Sequence, residues 1–348
     1  MNRMGKLDPR TMKRSVYGSL GRSSSSVIAG PAIGFDNAVI SLGRRERMIL
    51  TTDPVSIIPA VGMEASAWLS VHLIASDYAT SGRRPQFATF SFNVPPEIPE
   101  ASAERYLKSI GHECKRLGVS IVAGHTGSYP GGGLTVIGAG TMFGFSVEGE
   151  YVLPSMARVG DSILMTKGSA IEATASLALS FPRFTEERVG RGLASRAKAM
   201  LTKCSVVEDA LTASTLGLGR SGVTSMHDAT EGGVIGGLEE MASASGRSYL
   251  IDRDSILVPP ECEATCRAFG LDPATTLSEG TLLLTCNPRI VSDLVGELEK
   301  KGIAACEIGR VGRGEGLWIR EGSRKRRARL ANDGYWRAYE AGVKSRLK

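Results

Sequence analysis

Long apolar runs are missing from this 348-residue chain. None approaches the roughly 18 consecutive apolar residues of a membrane-spanning helix, so no such helix is expected. The polar start, Met1 to Arg14, is followed by no apolar stretch of the kind a secretory signal carries, which leaves the cytoplasm as the expected compartment. Cysteines are scattered, at Cys114, Cys204, Cys262, Cys266, Cys286 and Cys306, and are expected as reduced thiols. Cys262 and Cys266 are the one close pair; with no second pair and no His nearby, they do not make a zinc site. A uniformly basic face for nucleic acid is not expected either. The net charge is +6, and Arg324-Lys325-Arg326-Arg327-Ala328-Arg329 alone carries five positive charges, a solvated tail in its simplest reading. The turn Thr166-Lys167-Gly168-Ser169 lacks the glycine spacing of a P-loop.

Glycine, by contrast, is in excess: 42 of 348 residues, about 12% against an average near 7%. The glycines sit in short clusters between apolar runs, which favours tight turns and backbone-lined sites. Hydrophobic residues at 42% and charged residues at 22% are an ordinary globular balance. At roughly 150 residues per domain, the length predicts two.

The first twenty-five residues read as weakly ordered. Phe35 to Ile40 begins a strand, and Arg47 to Pro54 is a second, ending on Asp53. From Met63 to Ser81, Ala65, Trp68, Leu69, His72, Leu73 and Ser76 make one helical stripe, with His72 as a core histidine. Asp77 near that helix's end opposes the dipole, so it calls for a reason other than stability. Gln86 to Val94 is a strand, Pro99 to Leu117 a helix stopped by Gly118, Val119 to Ala123 a short buried strand, and Leu134 to Val147 a long one. Between the last two lie Gly124-His125-Thr126 and the loop Tyr129-Pro130-Gly131-Gly132-Gly133. A second unit begins near Leu153-Pro154-Ser155. It has strands at 162–166, 247–251, 281–286 and 303–308, and helices opening at Ala170 and spanning 185–202, 206–216 and 290–300. Glu279 stands before the buried strand at 281.

The most informative stretch is Met226-His227-Asp228-Ala229-Thr230-Glu231-Gly232-Gly233, leading into Val234, Leu238, Met241 and Ala242 on one helix face. A strand there hands over to a helix N-terminus, where free N–H groups and the dipole favour an anion. The plain alternative is a helix capped by Thr230. Acidic residues recur at turns: Asp36, Asp53, Asp77, Asp228 and Glu279. Magnesium takes hard oxygen ligands and shares them with phosphates, so acidic turns beside glycine loops point to a metal-nucleotide site.

Six segments in order carry a family resemblance: Gly34-Phe35-Asp36-Asn37-Ala38-Val39; Thr51-Thr52-Asp53; Ser76-Asp77 through Pro85; Ala123-Gly124-His125-Thr126; Met226 through Gly233; and Leu277-Ser278-Glu279-Gly280. Over roughly Ile28 to Ile319 the chain resembles the aminoimidazole ribonucleotide (AIR) synthetase, or PurM-like, superfamily, and the Met226 and Ser278 stretches resemble its hydrogenase-maturation type. The resemblance implies a two-domain α/β (α+β) fold and a homodimer whose N-terminal sheets join into a barrel, with an α/β C-terminal domain. The expected boundaries are a flexible segment 1–26, an ATP-binding domain 27–155, a second domain 156–320 and a basic appendage 321–348. It implies ATP and Mg2+ bound where the domains and the dimer partner meet, and activation of a small substrate by phosphorylation. Carried over, Asp36, Asp53, Asp77 and Asp228 are the metal candidates. Asp36, Asn37, Asp53, Asp77, Gly124, Thr126, Thr230, Gly232 and Gly233 are the nucleotide candidates, and Asp228, His125 and Glu279 the catalytic ones.

Three departures qualify the carry-over. Phe35-Asp36 stands where the family commonly has two acids, and His125 where it has an Asp. An imidazole suits magnesium poorly, so His125 is expected to contact phosphate directly as a hydrogen-bond donor, or the third metal position to be unused. The hydrogenase-maturation type works through a C-terminal cysteine; here the last is Cys306 and the chain ends Ser345-Arg346-Leu347-Lys348, so that carrier chemistry is not expected in that form. No Cys precedes Cys114 to serve a selenophosphate synthetase. The alternatives are a thiamine-monophosphate kinase-like enzyme and a nucleotide-binding regulatory or scaffold protein without turnover.

Overall fold

Alternating burial along the long strand Glu46–Ser56 shows how the first half is built: Arg47, Ile49, Thr51 and Val55 face inward while their neighbours are more open. The computed structural model describes residues 5–7, 11–129, 134–328, 333–345 and 347. Pro130–Gly133 of the glycine loop, Arg329 of the basic run, and Arg346 and Lys348 at the end lie outside them.

The first sheet comprises β1 (Val27–Ala29), β2 (Ala38–Gly43), β3 (Glu46–Ser56), β4 (Phe87–Asn93), β5 (Ser120–Gly127) and β6 (Val136–Val147), in the order β1-β2-β3-β6-β4-β5. β3 runs antiparallel to β6 along its whole length, from Glu46 opposite Val147 to Ser56 opposite Val136. Helices α1 (Met63–Ala79) and α2 (Glu100–Leu117) cover one face through Val71, Ile74, Tyr78, Tyr106 and Ile110. α2 ends at Gly118, whose φ of 75° is left-handed as a C-terminal stop requires. It is the crossover between β4 and the parallel β5.

β5 corrects one expectation. It is an edge strand, not a buried one, with Ile121 47% and Val122 53% exposed. An apolar run alone does not say whether its neighbours belong to the same chain. The sheet is open within the chain, so the barrel expected of a dimer is not closed here.

The second sheet, of β7 (Ser162–Thr166), β8 (Val223–Ala229), β9 (Ser248–Asp252), β10 (Thr281–Cys286), β11 (Ala305–Gly312), β12 (Gly316–Glu321) and β13 (Arg324–Arg327), has the order β13-β12-β9-β11-β7-β10-β8. Its helices are α3 (Ile171–Ser180), α4 (Pro182–Val189), α5 (Arg191–Ala199), α6 (Val207–Ser214), α7 (Gly233–Ser245), α8 (Pro260–Ala268), α9 (Val291–Lys300) and α10 (Tyr335–Lys344). The period-two pleat sorts the core. Ile163, Met165 and Leu283 pack with Val234, Leu238 and Met241 of α7. Leu164, Leu282 and Leu284 face the other way, into a cluster shared with α6, α9 and the first sheet.

The helix expected over 185–202 is broken at Gly190, whose φ of 83° no right-handed helix accepts, giving α4 and α5. The stretch 321–348, set apart in the sequence as a basic appendage, contributes β13, paired antiparallel with β12, and α10. Tyr335 of α10 is buried with Leu177 and Phe181. The halves also meet through polar contacts: Val206 N–H donates to Ser76 Oγ at 2.9 Å, and His72 Nδ1 lies 3.0 Å from Ser205 Oγ. His72 is buried and stacked on Trp68, as its place on the apolar stripe predicts.

Candidate functional site

β8 presents the site. Its residues are all buried, because α7 covers one side and the first domain the other. At its end the chain turns through Thr230-Glu231-Gly232 into α7. The helix is not capped by Thr230: Gly232 is the N-cap, with φ 84° and no side-chain cap. Gly233 follows at φ 61°, and a Cβ there would lie 2.6 Å from Thr276 O. The glycines are therefore dictated by backbone shape and close approach.

Asp228 is fully buried, and among the described residues neither of its carboxylate oxygens has a hydrogen-bond partner. Glu279 Oε2 and Glu172 Oε2 are similarly unpartnered among those residues. Asp77 accepts from Thr51 Oγ at 3.2 Å. The acids press on one another. Burial first, and then Asp36, raise the Asp228 carboxyl to about 7. Burial raises Asp53 to about 6, with Asp36 adding to the rise and Lys6 opposing it. Burial and then Asp228 push Asp77 and Glu279 well above the usual carboxylate range. Glu172, buried and beside Glu231 and Asp333, rises to about 8. Uncompensated buried carboxylates are costly, so the arrangement calls for cations.

Three kinds of compensation are visible besides protons. His227 Nδ1 is 2.8 Å from Asp36 and its Nε2 2.9 Å from Glu240. Burial alone would lower its pKa, but these two carboxylates outweigh it and hold the imidazole charged. Lys6 reaches in from the N-terminal segment, its Nζ donating to Thr230 Oγ1 at 2.6 Å. Burial opposes its charge and is outweighed by Glu240, Glu279, Asp228 and Asp77. Thirdly, backbone donors at the turn are matched by carboxylates: Gly232 N–H donates to Asp333 Oδ2 at 2.9 Å, and Lys6 N–H to Glu231 Oε2 at 2.9 Å.

Ligand atoms of Asp36, His227 and Asp228 lie within 4.8 Å of one another. Both His227 nitrogens are committed to carboxylates, so the oxygen donors of Asp36 and Asp228, with Asp53 and Asp77 nearby in charge, form the part of this group suited to a hard divalent cation. The buried Asp228 oxygens, without partners among the described residues, fit such an ion.

Residues 34–145 match the family described as AIR synthase related protein, N-terminal domain, and residues 158–320 match the corresponding C-terminal domain. The chain belongs to the AIR synthase related proteins. The carbamoyl dehydratase HypE of Cupriavidus necator is 30% identical over 261 residues, 73% of this chain and 69% of that protein. The HypE of Rhizobium leguminosarum bv. viciae is 26% identical over 290 residues, 78% and 77% of the two chains. Among solved structures, a hydrogenase maturation protein HypE in complex with ATP superposes with a TM-score of 0.67 at 19% identity, covering 95% of this chain and 96% of that one. AaThiL complexed with AMPPCP and TMP gives 0.65 at 18%, covering 86% and 93%. At these identities the structural likeness speaks for the two-domain PurM-like fold.

Of the AIR synthase candidates read from the sequence, Asp36 and Asp228 meet at His227; Asp53, Asp77 and Glu279 are near enough to act on the same charges; and Thr230, Gly232 and Gly233 follow Asp228 on the turn. Asn37 is spent differently: its Nδ2 donates to Asp77 O at 2.7 Å and to Thr80 Oγ1 at 2.8 Å, tying down the end of α1. Gly124, His125 and Thr126 stand apart on β5, with β6 and β4 between them and β3, roughly 14 Å at ordinary strand spacing. His125 is exposed, its Nε2 2.8 Å from Tyr129 Oη. The sequence reading missed Lys6, Glu172, Glu240, Glu231 and Asp333. Glu240 is the one with a local signal, since it lies seven residues after Gly233, on the α7 flank facing His227.

Proposed function

We propose that this AIR synthase related protein binds ATP with a divalent cation and transfers or uses its γ-phosphoryl group to activate an oxygen of a small substrate. The observation that carries the reading is Asp228: a fully buried carboxylate, without a partner among the described residues, at the mouth of a glycine turn that ends in a helix N-terminus. The ATP complex of HypE and the AMPPCP complex of AaThiL support the same class of ligand on the same fold. Asp36, Asp53, Asp77 and Asp228 would hold the cation, which when bound neutralises phosphate charge. Gly232 would offer a phosphate the backbone N–H that donates to Asp333 in this structure. Gly233, whose own N–H goes to Thr230 O, would let the backbone approach it, and Glu279 would orient the acceptor or take its proton. Residues 27–155 and 156–320 are the two working domains in this reading.

The protein in this reading is a homodimer. The apolar β5 edge, with Ile121 and Val122 on its surface, has a ladder unpaired among the described residues, which a second subunit would extend toward the expected barrel. That pairing would bring Gly124, His125 and Thr126 of one protomer to the nucleotide of its partner. His125, at the position where the resemblance implies an Asp, favours a second reading in which the nucleotide is bound without turnover. Calorimetric titration with AMP-PNP, with and without Mg2+, tests the binding. Magnesium-dependent binding that Asp228→Asn abolishes is the expected result; binding indifferent to both sinks the proposal. Single-turnover phosphate release then separates enzyme from binder.

A further inference from the structure

Residues from both ends of the chain meet the same turn, Thr230-Glu231-Gly232. Gly5 packs so closely on Glu231 and Trp336 that a Cβ there would lie 2.5 Å from Glu231 Oε2 and 2.7 Å from Trp336 Nε1. Lys6 follows, its backbone N–H on Glu231 Oε2 and its ammonium on Thr230 Oγ1. From the other end, Trp336 Nε1 donates to Glu231 Oε1 at 3.3 Å, and Asp333 accepts from Gly232 N–H. The second Asp333 oxygen accepts from Thr276 Oγ1 at 2.9 Å and from Tyr335 N–H at 2.8 Å. Glu231 is thus clasped from both termini at once.

The charges are placed with opposite sense. Lys6, a cation on a largely exposed residue, holds its ammonium on Thr230 Oγ1, two residues from Asp228, whose carboxylate oxygens have no partner among the described residues. Asp333, an anion, sits on the N–H of the glycine turn that suits a phosphate oxygen. Each side chain matches the charge of the ligand that its half of the site accepts. An ordinary structural clasp has no need of that match: Glu231 alone, with the Trp336 indole and the Lys6 backbone, would join the termini.

We propose that the two termini form a built-in stand-in for the metal-nucleotide, Lys6 for the cation and Asp333 for an anionic phosphate oxygen, and that ligand binding displaces them. The inference rests on the reading of the site given above. The closed arrangement is a competitor tethered at high local concentration, so the affinity for free ligand falls by the fraction of molecules that are open. With about nine molecules in ten closed, the loss is about tenfold.

The test uses the full-length protein and Mn2+ alone as probe, with free ion followed by electron paramagnetic resonance. Lys6→Ala is expected to bind Mn2+ about tenfold more tightly than the unmodified protein. Equal or weaker binding by the variant overturns the stand-in while leaving the site itself standing. No Mn2+ binding by either protein sinks both the stand-in and the site reading. A second measurement needs no substitution: hydrogen exchange of the unmodified protein with and without Mn2+ and AMP-PNP. Faster exchange in peptides covering the first seventeen residues and 333–345, with slower exchange at the start of α7, is the expected pattern. Added protection of both termini would show them to be ligand-binding elements and refute the displacement.

Discussion

Replacing Asp228 by Asn should make the ligand-free protein more stable, and the gain should depend on pH. The Asp228 carboxyl holds its proton up to about 7 in the fold, against about 3.9 in an unfolded chain. A carboxyl that binds its proton more tightly when folded favours the fold at low pH, and loses that advantage as pH climbs through the folded value. About three units at 1.36 kcal/mol each give a penalty of about 4 kcal/mol at pH 8, of which about 1.5 is already present at pH 5. Asn has the same shape and no charge, so Asp228→Asn should recover most of it. For a chain of this length about 4 kcal/mol corresponds to a rise in Tm of roughly 5 to 8 °C. Thermal melts of both proteins at pH 4, 5, 6.5 and 8, with and without Mg2+, measure the effect. The expected gap is near zero at pH 4 and widest at pH 8, and Mg2+ should raise the Tm of the unmodified protein only. A variant as labile as the parent at pH 8, or a gap that does not move with pH, would refute the view of Asp228 as an uncompensated charge held for a ligand.

Three further outcomes follow from the geometry. Gly233→Ala forces a left-handed φ on an L-residue and sets its Cβ against Thr276 O, so it should destabilise by about 2 kcal/mol or more, read as a lowered urea midpoint; a neutral result would contradict the close approach. His227→Leu strands Asp36 and Glu240 beside a hydrocarbon and should destabilise by about 3 kcal/mol at pH 7, with the loss shrinking in acid below the ordinary carboxylate range, where Glu240, whose carboxyl His227 holds low, gains its proton. An unchanged melt would show that the imidazole is not holding them. Ile121→Lys, on the exposed edge of β5, should leave the melt within a few degrees but convert a dimer to a monomer in light scattering; a dimer that survives is joined elsewhere.

How much of this was readable in the sequence varies with the range of the interaction involved. Strands and helices set by local periodicity appear where expected: β3, α1, β4, α2 and β10 all sit on their apolar patterns. So do the acids at strand mouths, because an acidic residue at the end of an apolar run has few structural uses. β5 is exposed although its pattern is that of a covered strand, because among the described residues nothing covers it. β12, β13 and α10 went unread, since Lys and Arg dominate β13 and only its pairing with β12 makes it a strand. Thr230 offered an ordinary N-cap, but the backbone at Gly232 took that position, leaving the hydroxyl for Lys6. Lys6, Glu231 and Asp333 are more than two hundred or one hundred residues from their partners. No spacing rule reaches that far.

The carboxylates also set a thermodynamic signature for ligand binding. Metal ligands act deprotonated, so loading a site whose acids hold protons near neutrality releases those protons. Here Asp53 at about 6, Asp228 at about 7 and Glu172 at about 8 straddle neutral pH, with Asp77 and Glu279 higher than usual. Titrating Mg2+ with AMP-PNP into the protein at pH 6.5, in buffers of different ionisation enthalpy, should therefore give heats that vary with the buffer. The slope should correspond to about one proton released or more, since a group titrating near 7 is mostly protonated at that pH. Affinity should rise between pH 6 and 8 as those protons come off more readily. In Asp228→Asn the magnesium-dependent heat should be lost in every buffer. Heats that do not depend on the buffer would mean the ligand enters without touching these acids, and the anion-binding glycine turn would then have to act without them.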